Sequence, residues 1–216
     1  MKIEVKNVSK KFKEIQVIDN INITFESGNI YGLCGRNGSG KSVFQKMLAG
    51  LYLPSSGTIF YDGLDLNKMG SYQFNLRALI EKPSFFPDLT GFQNLKLLAE
   101  IQNKIGDKEI NDALEIVNLF EDRNKKYSKY SLGMKQKLGI AQVIMENPEI
   151  MILDEPFNGI ERTTVEKIRE YLSKKKQDGK LIIISTHINE DLYRLADYVY
   201  EFDNGKIREI SNEYKD

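Results

Sequence analysis

The sequence predicts an α/β fold with a mixed central sheet, an antiparallel β part at the N-terminus and an inserted helical subdomain. Short apolar runs typical of strands open the chain, at residues 3–8, 21–25 and 30–34. Two later runs, 150–153 and 181–185, are apolar at consecutive positions, as in strands buried on both faces of a parallel sheet. Between them, residues 161–177 have apolar positions three and four apart, which predicts a helix and hence a β-α-β crossover.

The other elements complete this fold. Residues 92–145 have helical composition and follow Pro83 and Pro87, so we predict a helical subdomain at about 84–146 inserted in the α/β core. Residues 198–210 predict two short strands about a turn at 203–205.

Composition limits the class of protein. The 216 residues are 41% apolar and have no internal repeat or linker, which predicts a single domain over 1–216. Lys plus Arg and Asp plus Glu both number 31, and this balance argues against a nucleic-acid binder or a polybasic membrane anchor. The longest charge-free run, 47–61, is shorter than the roughly twenty residues of a membrane-spanning helix. We expect a cytoplasmic protein whose Cys34 is a small buried hydrophobe.

Residues 35–42, Gly-Arg-Asn-Gly-Ser-Gly-Lys-Ser, match the phosphate-loop pattern G-x-x-x-x-G-K-[ST] between a strand and a helical run. Glycines let backbone N–H groups converge on one anion, and the helix beginning at Lys41 adds the positive end of its dipole. Lys41 is placed to reach the β- and γ-phosphates, and Ser42 to bind Mg²⁺. The alternative is a purely structural glycine-rich turn. We predict a P-loop NTPase core whose nucleotide is held by Gly35, Asn37, Gly38, Ser39, Gly40, Lys41 and Ser42.

Two adjacent acids follow the apolar run at 150–153. In open α/β sheets, ligands bind at the carboxyl ends of the strands, where Asp154 and Glu155 would lie. We predict that Asp154 holds Mg²⁺ and that Glu155 polarises the attacking water. Without the phosphate loop, a better interpretation would be that the acids mark the exit of the strand into solvent.

Residues 130–138, Tyr-Ser-Leu-Gly-Met-Lys-Gln-Lys-Leu, resemble the signature motif of ATP-binding cassette (ABC) ATPases. The order of motifs resembles that family along nearly the whole chain. Phe12 is similar to the aromatic residue that stacks on adenine, residues 158–161 to the D-loop, and His187 to the switch histidine at the γ-phosphate. In isolation, a lone histidine after a strand would be taken as structural.

The resemblance implies an ATP-binding and ATP-hydrolysing subunit of a transporter, on the inner face of the cell membrane, with separate membrane-spanning subunits. Three aromatic residues at the start of the helical part then either pack within it or receive a helix of a membrane subunit, and the sequence leaves both open: Phe85, Phe86 and Phe92. It also implies a homodimer or pseudo-dimer. Each ATP would lie between the phosphate loop of one subunit and the signature of the other, with Ser131 and Gly133 facing the γ-phosphate. Ser131 precedes a helical run at 136–145, whose N-terminus offers N–H groups to an anion.

Two positions differ from the usual family pattern. Glu81 stands where most members have a glutamine that touches Mg²⁺, and Glu161 stands where the D-loop usually has aspartate. A carboxylate still offers hard oxygen to Mg²⁺, so Glu81 joins Ser42 and Asp154 as a candidate metal ligand. Glu81 together with the Ser-Leu-Gly-Met form of the signature resembles the pattern of bacitracin-type and lantibiotic-immunity exporters. This resemblance implies export of a peptide antibiotic or a similar toxic compound. The alternative is neutral variation at an accommodating position.

Two other classes compete with a transporter subunit. A soluble ABC ATPase acting on nucleic acid or ribosomes is disfavoured, because the interval between Lys41 and Ser131 is too short for a long coiled coil and the chain carries a single cassette. A nucleotide-sensing module without activity is disfavoured because Glu155 and His187 are both present.

Overall fold

The computed structural model describes residues 1–69, 74–187 and 189–210. In chain order, the strands in these ranges are β1 (Lys2–Phe12), β2 (Ile15–Glu26), β3 (Ile30–Gly35), β4 (Ser56–Tyr61), β5 (Leu64–Asp65), β6 (Leu76–Leu79), β7 (Ile150–Asp154), β8 (Leu181–Ser185), β9 (Tyr198–Asp203) and β10 (Lys206–Ile210). The α-helices are α1 (Lys41–Leu48), α2 (Leu66–Met69), α3 (Gly91–Gln102), α4 (Asp107–Ile116), α5 (Leu132–Ile144), α6 (Arg162–Gln177) and α7 (Asn189–Leu195).

The strands form two sheets, as the predicted fold class requires. The first is antiparallel, in the order β2-β1-β4-β5, and the second is mixed, in the order β10-β9-β3-β8-β7-β6. In the mixed sheet only the edge strand β10 runs antiparallel to its neighbour. β7 and β8 are fully buried, which confirms the prediction from their consecutive apolar residues.

Alternate residues of the mixed sheet face two different hydrophobic clusters. Ile150 and Ile152 pack with α1 and the antiparallel sheet, whereas Met151 and Leu153 pack with helices α3 to α6. This period of two is the strand geometry that sends successive side chains to opposite faces. The sheet therefore separates a β-rich layer from a helical layer.

Helix α6 makes the predicted crossover between β7 and β8. Its apolar residues are buried against the helical layer, and Gly179 follows its C-terminal end with a positive φ of 83°. At this end Lys176 Nζ lies 3.0 Å from Asp197 Oδ1, and Asp197 Oδ2 accepts the Ile30 N–H at 2.9 Å.

The helical part contains α3, α4 and α5, as expected from its composition. Helix α5 begins at Leu132, four residues earlier than predicted, because the Ser131 hydroxyl accepts the Met134 N–H at 3.2 Å and caps the helix. The buried residues of these helices belong to the same cluster as the helix-facing side of the mixed sheet. The boundaries 84–146 of a subdomain stay a prediction.

The sequence pattern did not predict β4 and β6. β4 carries Gly57 in its second position, which weakens the strand signal. β6 has four residues and lies at the edge of the mixed sheet, where its pairing with β7 alone makes it a strand. Within the described ranges, the structure contains no helix with the length and apolar character needed to cross a membrane.

Candidate active site

Four loops meet at one edge of the mixed sheet. β3, β8, β7 and β6 are parallel neighbours, so their carboxyl ends lie together. The phosphate loop follows β3, Glu81 follows β6, Glu155 follows β7 and His187 follows β8. This is the edge at which open α/β sheets bind their ligands.

Glycine is required at two positions of the phosphate loop. A Cβ on Gly35, at φ +137°, would lie 2.3 Å from the Phe202 carbonyl oxygen, and one on Gly40, at φ +109°, would lie 2.9 Å from the Val17 carbonyl oxygen. Both contacts are closer than real Cβ atoms approach, and both φ values favour glycine. The loop is therefore held between β2 and β9.

Several polar groups of the phosphate loop fit an anion. The buried Ser39 hydroxyl has no hydrogen-bond partner among the described residues, and helix α1 has no side-chain cap at its N-terminus. Lys41 is 6% exposed, and its ammonium donates to the carbonyls of Gly35 at 2.7 Å and Arg36 at 3.1 Å. Gly38 has open space about it and Asn37 is exposed. Unsatisfied donors, a lysine and open space suit phosphate groups.

Two predicted metal ligands are in contact. The Ser42 hydroxyl lies 2.7 Å from Asp154 Oδ2, at the start of α1 and the end of β7. Asp154 is 6% exposed, and its Oδ1 accepts a hydrogen bond from Ser185. Mg²⁺ is usually held by one or two carboxylates together with substrate phosphates. A hydroxyl and a carboxylate side by side at the phosphate loop fit that ion.

Glu155 and His187 are brought together across the edge of the sheet. His187 Nδ1 lies 2.9 Å from Glu155 Oε2. The Glu155 backbone has a positive φ of 48°, and its N–H donates to the Ser185 carbonyl at 2.9 Å. The Gln136 amide of α5 donates to the Glu155 carbonyl at 3.1 Å, so the signature helix also fixes this turn. A left-handed backbone at a glutamate is uncommon and is held by these contacts.

Glu81 hydrogen-bonds to Lys46 and takes no part in the Ser42–Asp154 contact. Its carboxylate forms an ion pair with Lys46 of α1 and is 64% exposed. Its backbone is also left-handed, with φ 65°. The structure thus keeps Glu81 at the predicted edge but gives it a cation as its partner.

Phe12 lies at the end of β1, 40% exposed. It pairs in register with Ile15 of β2, close in sequence to Val17, which contacts Gly40 of the phosphate loop. The edge of the Phe12 ring meets the ring of Tyr52, with 5.6 Å between centroids. An exposed aromatic ring suits a planar base.

The signature segment is exposed at its start. Ser131 is exposed and Leu132 is 67% exposed. Gly133 is packed against the D-loop of its own chain, where a Cβ would lie 2.4 Å from the Gly159 carbonyl oxygen. Lys137 pairs with Glu161, so the signature helix and the D-loop are joined by two contacts. Ser131 remains free to face another molecule.

Three polar contacts of the site were missed by sequence reasoning. Gln45, Gln136 and Lys46 lie on helices and make tertiary contacts with Leu153 of β7, Glu155 and Glu81, in that order. Gln45 is fully buried, and a polar residue between Phe44 and Met47 in an apolar helix face was the available signal. Gln136 lies within the signature segment, which was not read for this contact, and no local pattern marked Lys46.

Comparisons with known proteins agree with this geometry. Residues 18–158 match the ABC transporter family. The chain is 42% identical over 205 residues to the uncharacterized ABC transporter ATP-binding protein YybJ of Bacillus subtilis, across 95% of this chain and 94% of YybJ. It is 38% identical to the bacitracin transport ATP-binding protein BcrA of Enterococcus faecalis, across 97% of this chain and 69% of BcrA. Identity to the lantibiotic transport ATP-binding protein SrtF of Streptococcus pyogenes is 33%, across 95% and 88%.

Solved structures have the same fold. An ATP binding subunit of an ABC transporter superposes with a TM-score of 0.86 and 27% identity, across 97% of this chain and 90% of that one. The ATP-binding cassette MJ0796, described as a dimer in a post-hydrolysis state with ADP and Pi, has a TM-score of 0.89 at 24% identity, across 98% and 99%. With the family match over more than half of its length and relatives at 33–42% identity over nearly all of it, the chain belongs to the ABC transporter family, as one of its ATPase subunits.

Proposed function

We propose that this subunit binds ATP with Mg²⁺ and uses its hydrolysis to power export of a peptide antibiotic or a similar toxic compound. The observation that carries the catalytic part is the contact between Glu155 and His187, beside the phosphate loop. The cargo class is supported by the names of the relatives BcrA and SrtF, which are transport proteins for bacitracin and a lantibiotic.

Glu155 is the proposed general base. Its carboxylate is 24% exposed, and the Asn158 amide lies 3.4 Å from the same oxygen that contacts His187, so Oε1 is left for an attacking water. The water oxygen bonds to the γ-phosphorus as the bond to the ADP oxygen breaks, and Glu155 takes the proton of the water.

His187 positions Glu155 and contacts the γ-phosphate in this proposal. An ionised carboxylate only accepts hydrogen bonds, so Nδ1 of His187 carries a proton when it faces Glu155. Its Nε2 donates to a phosphate oxygen only when the ring is doubly protonated and positively charged. The imidazolium would then add positive charge where negative charge develops.

Mg²⁺ would be held by Ser42 and Asp154, with Glu81 as a further ligand. When bound, the ion neutralises phosphate charge. Glu81 is available to this site only if its carboxylate leaves Lys46, because the ion pair occupies it. The proposed role of Glu81 therefore includes a change of partner.

The active unit is proposed to be a homodimer or a pseudo-dimer. The exposed Ser131 caps α5, whose N-terminal N–H groups suit the γ-phosphate of a partner's ATP. The reported dimer of MJ0796 supports such an assembly. Gly133 would approach the same phosphate from the first turn of the helix.

Separate membrane-spanning subunits complete the proposed transporter, with this subunit in the cytoplasm on the inner face of the membrane. Phe86 is 64% exposed beside α3, so its ring is the candidate contact for a helix of a membrane subunit. Its neighbours Phe85 and Phe92 pack partly against the core of the helical part. A soluble ABC ATPase acting on nucleic acid or ribosomes is not favoured, since the relatives are named as transport proteins.

The test is Mg²⁺-dependent ATPase activity of Glu155→Gln. The amide keeps the shape of the side chain but cannot take a proton, so we expect turnover to fall by roughly 10²- to 10⁴-fold with ATP affinity retained. Glu121→Gln, at an exposed position of the helical part, is the matched control. Undiminished turnover in Glu155→Gln would show that Glu155 is not the general base.

A further inference from the structure

We infer that Ser185 and Gln45 are positioning residues that hold the Asp154 carboxylate in the orientation needed for its metal. The inference rests on the proposed role of Asp154 in binding Mg²⁺. It assigns to the site two fully buried polar side chains, which hydrogen-bond to Asp154, to the Leu153 carbonyl and to each other.

The sheet register brings Ser185 to Asp154. The two residues are paired across β7 and β8, and each ends a row of side chains that faces α1. The Ser185 hydroxyl donates to Oδ1 of Asp154, while Ser42 holds Oδ2. Each carboxylate oxygen thus accepts a hydrogen bond from a different serine, which restricts the rotation of the carboxylate.

Gln45 positions Ser185 in turn. Its amide Nε2 lies 3.4 Å from the Leu153 carbonyl oxygen, and its Oε1 lies 3.3 Å from the Ser185 hydroxyl. The reverse amide orientation would bring Gln45 Oε1 against the Leu153 carbonyl oxygen, so the backbone of β7 selects the observed one.

The Ser185 hydroxyl has two possible acceptors for its one hydrogen. The Ser185 hydroxyl has a single hydrogen, and both Asp154 Oδ1 and Gln45 Oε1 lie within its reach. The charged carboxylate is the stronger acceptor of the two. A cation on Asp154 would draw charge from the carboxylate, and the hydroxyl would then be shared more evenly with Gln45. Gln45 therefore keeps the Ser185 hydroxyl in place both with and without a cation on Asp154.

Outer residues of this kind typically alter metal affinity by roughly 10- to 100-fold when they are replaced. We expect Ser185→Ala to raise the half-saturating Mg²⁺ concentration by about tenfold, with a smaller increase in Gln45→Met. The measurement is binding of a fluorescent ATP analogue at increasing Mg²⁺, beside binding without divalent cation. The inference requires binding without Mg²⁺ to stay unchanged, because the phosphate loop is intact.

Three controls separate the outcomes. Tyr61→Phe also removes one buried hydroxyl, which donates to the Leu48 carbonyl at the other end of α1, and should lower the melting temperature without moving the Mg²⁺ response. Ser185→Thr keeps the hydroxyl and should keep the half-saturating Mg²⁺ concentration at the wild-type value. Asp154→Asn tests the proposed function, because an unchanged Mg²⁺ response there removes the metal role itself.

The inference is overturned if Asp154→Asn moves the Mg²⁺ response but Ser185→Ala and Gln45→Met both leave it at the wild-type value. It is equally overturned if Tyr61→Phe moves the response as much as Ser185→Ala, since the effect would then follow from lost stability. Gln45→Met keeps the test available if Ser185→Ala does not fold, because methionine has nearly the volume of glutamine.

Discussion

Lys46 of α1 forms an ion pair with Glu81, the residue that stands in place of the usual glutamine at the edge of the site. The contact raises the pKa of Lys46. Lys46 Nζ also lies 5.3 Å from the centroid of the Tyr52 ring, and Tyr52 meets Phe12 edge to face. A continuous set of contacts therefore joins a candidate metal ligand to a candidate base-stacking ring.

The first prediction concerns this ion pair. Lys46→Met leaves the Glu81 carboxylate unpaired beside the proposed phosphate site, so we expect ATP affinity measured without divalent cation to fall about fivefold, as for a loss of about 1 kcal/mol. Stability should change by less than about 1 kcal/mol, because Glu81 is 64% exposed. Equilibrium binding of ATP and urea unfolding measure the two effects.

A double-mutant cycle decides whether the loss comes from Glu81. In a Glu81→Gln background, Lys46→Met should have no further effect on ATP affinity, because the charge to be neutralised is gone. Lys68→Met, at an 82% exposed lysine, is the control. Additive losses in the double variant would contradict the proposed link.

The second prediction concerns the dimer. The Glu155→Gln variant should double its mass on ATP binding, as seen by light scattering. Adding Ser131→Asp should keep it monomeric, because aspartate still caps α5 but its carboxylate repels the γ-phosphate of a partner's ATP. Ser128→Asp, at another exposed serine, should dimerise normally. Dimers of Ser131→Asp at saturating ATP would argue against the signature as an ATP contact.

The third prediction concerns Phe12. Stacking of a base on an aromatic ring is worth about 1–3 kcal/mol, so Phe12→Ala should weaken ATP binding accordingly while Phe12→Tyr retains it. Phe60→Ala is a matched control, because Phe60 lies in the same sheet and also has a lysine ammonium 5.0 Å from its ring. Equal losses of affinity in the two alanine variants would indicate a general effect on the sheet.

The fourth prediction concerns pH. The hydrogen bond from Lys137 is the largest cause that lowers the pKa of Glu161, from 4.5 to about 2. Because the folded-state value lies below the unfolded one, the pair stabilises the protein above about pH 5, and this contribution is lost as the pH falls toward 2. It stays below about 1 kcal/mol, since Glu161 is half exposed.

Urea unfolding of wild type and Glu161→Gln at about pH 7 and about pH 3 measures this contribution. Wild type should be the more stable at the higher pH, and the difference should shrink at the lower one. A difference that grows on acidification would show that the Lys137 contact does not set the behaviour of Glu161.

The fifth prediction concerns Cys34. Burial raises the pKa of its thiol, and the side chain lies in the cluster between the mixed sheet and the helices. We expect iodoacetamide to modify Cys34 slowly in the folded protein and rapidly in urea, measured by mass spectrometry. Equal rates in both conditions would contradict its burial.

Local patterns predicted the parts of the site that depend on residues close in sequence. The spacing of Gly35, Gly40 and Lys41 is such a pattern, and so is the apolar strand before Asp154 and Glu155. The mixed sheet followed from runs of consecutive apolar residues. β4 and β6 were not predicted, because Gly57 weakens the strand pattern of β4 and the four residues of β6 form a strand through pairing with β7 at the edge of the sheet.

By itself, the sequence determined the phosphate loop, the acids after the buried strand and the signature, because each is a contiguous motif whose chemistry depends on spacing along the chain. Only the tertiary structure decided that Ser185 and Gln45 support Asp154, and that Lys46 takes Glu81 as its partner. These residues lie far apart along the chain, and their contacts depend on the strand order β3-β8-β7-β6 and on the face that α1 turns to the sheet.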